Sequence, residues 1–170
     1  MSRPAKSRRQ AGRTAATSGR ASAAAIVVRR VRRADLAQVI AIDATVTGLE
    51  KRRYWQAVYR RYGNSGQAGR EFWVAEADGS AVGFVIGEVR DWEFGSPPCG
   101  WVFAINVTPD ARLAGIGSRL LKAIGASFRR CGVKKLRTML ARDNTVILSF
   151  FRSQGMMTGP FIPLEMDLEA

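Results

Sequence analysis

The sequence predicts an α/β chain (α+β) on a mixed central sheet, its elements running β-α-α-β-β-β-α-β-α-β. Two kinds of periodicity carry that order. Alternating or β-branched apolar runs mark strands, and apolar residues three and four apart mark helices. A third observation sets the sheet type. Three strands follow one another between residues 72 and 107, which short hairpins connect antiparallel, while the flanking strands are reached across helices.

Residues 26–31, Ile-Val-Val-Arg-Arg-Val, are β-branched and read as a strand. Arg33-Ala34-Asp35 then opens a helix whose stripe is Leu36, Val39, Ile40 and Ala44, stopping near Gly48. A second helix, 50–62, carries Tyr54, Trp55, Val58 and Tyr59 and runs into a Gly/Asn/Ser-rich loop. Residues 72–76 and 81–90 are strands around Asp78-Gly79, a two-residue hairpin signal. A strand over 99–107 stops at Pro109, because proline has no N–H for a ladder. Residues 115–130 form the clearest helix, with Ile116, Leu120, Leu121, Ile124 and Phe128 on one side and Gly132 placed to end it. Residues 135–140 read as a strand, and 144–154 as a helix closed by Gly155. Residues 161–168 alternate Ile162, Leu164, Met166 and Leu168 with Pro163, Glu165 and Asp167, as a half-buried strand would.

The composition excludes several chemistries. The 170 residues contain no histidine, which removes Ser-His-Asp and Cys-His nucleophile systems, imidazole acid/base work and histidine-ligated zinc. Cys99 and Cys131 are too few for a four-thiolate metal site, so no metal is expected. They point to two reduced core thiols in a cytosol-like compartment, with one disulfide as the alternative. The longest apolar run, residues 23–28, is far short of the roughly 20 residues that span a bilayer. At 46% apolar content the chain has material for a packed core.

The net charge is +13 and unevenly spread. Residues 1–25 hold Arg3, Lys6, Arg8, Arg9, Arg13 and Arg20, no acid and no aromatic residue. Such a segment buries too little to offset its chain entropy and reads as a disordered basic tail, leaving 26–170 as the folded domain. The tail is open to several uses: a solvated extension, an arm contacting RNA or the ribosome, an organellar transit peptide, or a misassigned start.

The chemistry concentrates between Asn106 and Ser118, Asn-Val-Thr-Pro-Asp-Ala-Arg-Leu-Ala-Gly-Ile-Gly-Ser. Gly115 and Gly117 stand where a helix starts, with Arg112 three positions ahead. First-turn amides have no partner within the helix and carry about half a positive charge, so a phosphate or pyrophosphate suits them. Leu120 stands where a dinucleotide fingerprint needs its third glycine, and the Gly-Lys-Ser/Thr of a P-loop is absent. Glycines serving only a tight strand–helix turn remain the plain alternative.

The arrangement resembles the GNAT superfamily of acetyl-CoA-dependent N-acetyltransferases over about residues 26–168. Its R-x-x-G-x-G element is matched by Arg112, Gly115 and Gly117 after a strand ending in apolar Val107. Its Asn-containing helix is matched by Asn144, Phe150-Phe151 and Gly155-Met156. The resemblance implies helices on both sheet faces and acetyl-CoA as co-substrate. It implies that the central strand splays from its parallel neighbour near Val107, with the pantetheine arm pairing along Ile105, Asn106 and Val107 as an added strand. The pyrophosphate then rests on amides from Leu113, Ala114, Gly115, Ile116, Gly117 and Ser118, with Arg112 nearby and Asn144 toward the sulfur. An N-cap role for Asn144 is equally open and compatible.

The catalytic positions depart from the family's patterns. The tyrosine that many members place seven residues after the asparagine is Phe151 here. The glutamate base placed five residues before it in alanine acetyltransferases of ribosomal proteins is Met139. The glutamate of histone-type members, eleven residues before the arginine, is Trp101. Glu88, on the Phe84/Ile86 face beside Trp101, is the candidate base, directly or through a held water; the plain alternative is a solvated strand-end acid.

The expected function is direct acetyl transfer to a primary amine of a small molecule, or to a protein N-terminus or lysine, in the cytoplasm. An organellar site follows if residues 1–25 are a transit peptide. No membrane partner is expected, polyanion contact through the tail and a homodimer are both open, and Tyr54, Trp55, Tyr59, Trp92, Phe94 and Trp101 are candidate acceptor walls. The alternative is a basic RNA- or ribosome-associated binding module on the same fold with little turnover.

Overall fold

The structure is a computed structural model that describes residues 25–63 and 67–168. The predicted tail therefore lies outside the described residues but for its last position. Strand β1 is Val27–Arg30, helix α1 Leu36–Thr47 and helix α2 Arg52–Tyr62. Strands β2, β3 and β4 are Arg70–Ala77, Ser80–Arg90 and Cys99–Val107. Helix α3 is Ile116–Arg130, β5 is Leu136–Arg137 and α4 is Thr145–Ser153.

The sheet order is β1-β2-β3-β4-β5, antiparallel up to β4 and parallel between β4 and β5. The mixed sheet expected from the element order is therefore present. The β2–β3 hairpin turns at Asp78 (φ 50°) and Gly79 (φ 77°), both left-handed, as the twist of a two-residue hairpin requires.

Asp35 shows how a local signal anchors the first helix. Its carboxylate accepts from the Arg32 amide at 2.6 Å, ordering the turn that leads into α1. It also takes both guanidinium nitrogens of Arg29, at 2.7 and 2.8 Å, which fastens β1 to that turn. Arg29 holds the Asp35 carboxyl below the usual carboxylate range, first through these hydrogen bonds.

Alternation divides the core between the two faces of the sheet. Phe72, Val74, Phe84 and Ile86 pack with Val39, Ile40, Trp55 and Val58 of α1 and α2. On the other face Ala75, Val85 and Val102 pack with Ile116, Leu120, Ile124 and Phe128 of α3, and with Phe151 of α4. Gly100 matters here: a Cβ on it would lie 2.4 Å from Cδ2 of Phe128. Another charged network ties α3 to β2. Buried Glu71 accepts from Ser127 Oγ (2.6 Å) and Trp73 Nε1 (2.8 Å), and pairs with Arg30 (2.5 Å).

Two expectations need correction. The strand read over 135–140 pairs only at Leu136 and Arg137, because the chain turns away from β4 beyond them. No strand forms over 161–168, although the alternation is there. Pro160 and Pro163 supply no N–H, β5 offers a very short edge, and Leu164 stays 91% exposed. Phe161 alone finds a support, the guanidinium of Arg137 at 4.3 Å. Both cysteines are free thiols, but of the two expected in the core only Cys99 is buried; Cys131, just past the end of α3, is exposed. Among the described residues no helix is long and apolar enough to cross a membrane.

Candidate active site

The site is a gap in the sheet. The β4–β5 ladder consists of Gly100↔Leu136 and Trp101↔Arg137. Thr138 Oγ1 then donates to the Val102 carbonyl at 2.8 Å, and the strands part. The splay thus opens at Val102, earlier along β4 than the Val107 position expected from the sequence. A cavity of about 740 Å³ fills it. One wall is β4 from Val102 to Val107, and the other is 138–141 with Asn144, Ile147, Phe150 and Phe151 around α4.

At one end the cavity meets the start of α3 through Gly115, Gly117 and Ser118. Gly115 is left-handed at φ 69°, and no side chain caps the helix. The amides at the start of α3 therefore have no acceptor within the helix. A Cβ on Gly117 would sit 3.0 Å from Cε2 of Phe150, so glycine keeps the helix start open beside α4. This cradle, which a side chain would fill, fits an anionic phosphate group.

The predicted cofactor residues are only partly gathered here. Ile105, Asn106, Val107, Gly115, Gly117, Ser118 and Asn144 all line the cavity. Ile116 instead points into the core, and Ala114 belongs to the 3-10 turn Pro109–Ala114 without lining the cavity. Arg112 and Leu113 lie in that turn, and their side chains fall outside the described part of the structure. Asn144 takes the N-cap role: its Oδ1 accepts from the Ile147 amide at 3.2 Å, capping α4, and the residue also borders the cavity.

Glu88 is not brought to the cavity. Its carboxylate accepts from the Tyr62 hydroxyl at 2.9 Å and from Arg90 Nε at 3.2 Å, on the α2 side of the sheet. Burial, then the hydrogen bond to Glu88, raises the Tyr62 phenol above its ordinary pKa. Trp101 does lie opposite Glu88 in the ladder, under the Arg90 guanidinium at 4.7 Å, with its indole N–H buried and without a partner. Met139 and Phe151 line the cavity as apolar wall.

The other end of the cavity was missed by the motifs. Asp43 of α1 is only 5% exposed. Its Oδ2 accepts from Trp55 Nε1 at 2.9 Å and pairs with Lys51 Nζ at 3.0 Å. Val46, Tyr54 and Phe103 complete that end. A signal existed: Asp43 is an acid standing in helical register with Val39, within an apolar stripe.

A two-ended cavity in a splayed mixed sheet, with an uncapped helix start at one end, has room for an extended anionic ligand and for a second molecule beyond it. The sequence model of the acetyltransferase (GNAT) family matches residues 37–156, and the chain belongs to that family. It is 35% identical over 86 residues to an L-2,4-diaminobutyric acid acetyltransferase of Nocardia farcinica, covering 51% of this chain and 43% of that one. Against a mycothiol acetyltransferase of Saccharomonospora viridis it is 32% identical over 91 residues, or 51% and 30% of the two chains. The chain therefore spans less than half the length of these curated relatives. Its fold is that of the aminoglycoside N-acetyltransferase AAC(6')-Iy solved with CoA, at TM-score 0.75 and 17% identity, over 86% of this chain and 97% of that one.

Proposed function

We propose that residues 26–170 form an acetyl-CoA-dependent N-acetyltransferase that acts on a primary amine of a small molecule by direct transfer. One observation carries this reading: a single cavity is lined by the uncapped start of α3, the parted edge of β4, and the Asp43–Lys51 pair beyond it. The two curated relatives are both named as acetyltransferases, one of them for a diamino acid, which supports a small acceptor.

The residues divide the work. The amides opening α3, around Gly115, Gly117 and Ser118, are placed to hold the pyrophosphate, and Arg112 stands close in sequence. The edge of β4 from Phe103 to Asn106 offers backbone groups for the pantetheine arm, since alternate amides of a strand face its open side. When bound, acetyl-CoA supplies an acetyl thioester. An amide of that same edge is the donor available to polarise its carbonyl, without any ionisable side chain. Phe151, Met139 and Ile147 keep water from that stretch. With Glu88 taken up by Tyr62 and Arg90, the ammonium proton of the acceptor leaves to solvent through the cavity mouth.

The test is a screen of acetyl-CoA-dependent thiol release across diamines, amino acids, polyamines and peptide N-termini. Turnover confined to small amines is expected. Turnover only with peptides would overturn the small-molecule part, and no turnover with any amine would overturn the enzyme. The alternative of a basic RNA- or ribosome-associated module leans on the missing acid/base groups and on residues 1–25, of which only the last is among the described residues.

A further inference from the structure

Among the described residues that line the cavity, Asp43 and Lys51 are the only charged ones. The rest of their end is apolar or aromatic: Val46, Tyr54, Trp55 and Phe103. A carboxylate and an ammonium held 3.0 Å apart at this end of the cavity present both signs to whatever enters. Asp43 uses Oδ2 for Trp55 and Lys51, and among the described residues its Oδ1 has no hydrogen-bond partner. Lys51 is 36% exposed and has three donors, more than its contact with Asp43 occupies. The pair is anchored, because the buried Trp55 indole fixes the Asp43 carboxylate.

Resting on the acetyltransferase reading above, we infer that this pair recognises the zwitterionic head of a diamino acid. The acceptor's α-ammonium binds Asp43 Oδ1, its α-carboxylate binds Lys51 Nζ, and its second amine points along the cavity toward β4. A simple diamine leaves Lys51 without the partner that the head supplies. A monocarboxylate without an α-amine leaves Asp43 in the same position. A zwitterionic head engages both members of the pair, whereas either analogue engages one and desolvates the other without a new contact, so the pair favours the zwitterion over both. The transfer then balances as follows. The second amine, having lost one proton to solvent, forms the C–N bond; its nitrogen then gives up a second proton, the C–S bond breaks, and the sulfur takes up a proton and leaves as the thiol.

The test is calorimetric binding to the full chain, with CoA titrated first. The amine ligands are matched pairs that differ only by the carboxylate: ornithine against 1,4-diaminobutane, and 2,4-diaminobutyrate against 1,3-diaminopropane. The diamino acid should bind about tenfold more tightly, the worth of one charge-assisted hydrogen bond. Lys51→Met should remove that preference by weakening the diamino acid about tenfold and the diamine less than threefold. Asp43→Asn, checked by melting temperature and CoA binding, should weaken both. Equal affinity for the two members of a pair in the wild type would overturn the inference, as would equal losses in Lys51→Met. With CoA bound and no diamino acid binding, the inference fails and the acetyltransferase reading stands. If CoA itself does not bind, that reading fails, and the inference that rests on it fails with it.

Discussion

Gly117 faces the ring of Phe150 so closely that a Cβ would lie 3.0 Å from Cε2. The start of α3 and the middle of α4 thus meet across a space meant for no protein side chain. Glutamate at 117 would bring a carboxylate to the amides proposed for the pyrophosphate. Acetyl-CoA at about 100 times its Kd should raise the wild-type Tm by roughly 5–10 °C, from about 2.7 kcal/mol of linkage. Gly117→Glu should abolish that rise. An unchanged wild-type Tm at millimolar acetyl-CoA would remove the proposed function.

Gly100 and Gly125 make a paired prediction about packing. A Cβ on Gly100 would meet Phe128 at 2.4 Å, whereas one on Gly125, inside α3, meets nothing within 4 Å. Gly100→Ala should destabilise by about 1–3 kcal/mol through overpacking. Gly125→Ala should stabilise by about 0.5–1 kcal/mol through helix propensity. Urea midpoints measured for both variants check the two signs together.

The Arg29–Asp35 pair sets an acid limit. Because the folded pKa of Asp35 lies below its unfolded value of 3.8, its contribution is present above that pH and is lost as pH falls through the folded pKa. Stability should therefore hold from neutral pH down to about pH 5 and decline below about pH 4. Asp35→Asn should lower stability at neutral pH by about 3 kcal/mol, since Arg29 loses a buried partner, and should flatten the acid decline. Urea unfolding from pH 3 to 7 measures both, and an unchanged acid slope in the variant would refute the assignment.

For Glu88, bound by Tyr62 and Arg90 outside the cavity, the expectation is catalytic indifference. Glu88→Gln should change kcat/KM by less than about threefold, well under the hundredfold or more typical of a lost general base. The wild-type profile should climb with pH toward the pKa of the free acceptor amine. A break near about pH 6–7 that disappears in the variant would restore Glu88 as the base.

Much of this architecture was legible because it follows from period and punctuation. The strand Cys99–Val107, the Asp78-Gly79 turn and the stripe of α3 were read at or within a residue of their bounds. The GNAT family was legible from Arg112, Gly115 and Gly117 because the need for open amides constrains residue type. What failed depended on partners. Residues 161–168 alternate correctly, but alternation states which face would be buried and cannot supply a neighbouring strand. Glu88 was placed on the correct face, beside Trp101, yet a face is shared by positions inside and outside the cavity. Asp43 escaped notice because a lone acid on a helix usually faces solvent, and only Trp55 and Lys51, brought in by α2, give it a role.

The two-pair joint between β4 and β5 has a kinetic corollary. Asp43, Lys51, Tyr54 and Phe103 stand on one bank of the gap, Met139 and Val146 on the other, and the chamber proposed for the acceptor draws on both. A thioester ligand lying along β4, as proposed above, would fill the gap between the banks and supply the surface against which the amine is seated. Substrate addition should accordingly be ordered, nucleotide first and amine second. In product-inhibition kinetics free CoA should then compete with acetyl-CoA and not with the amine, so that the width of a gap in a sheet becomes the sequence of events in a turnover.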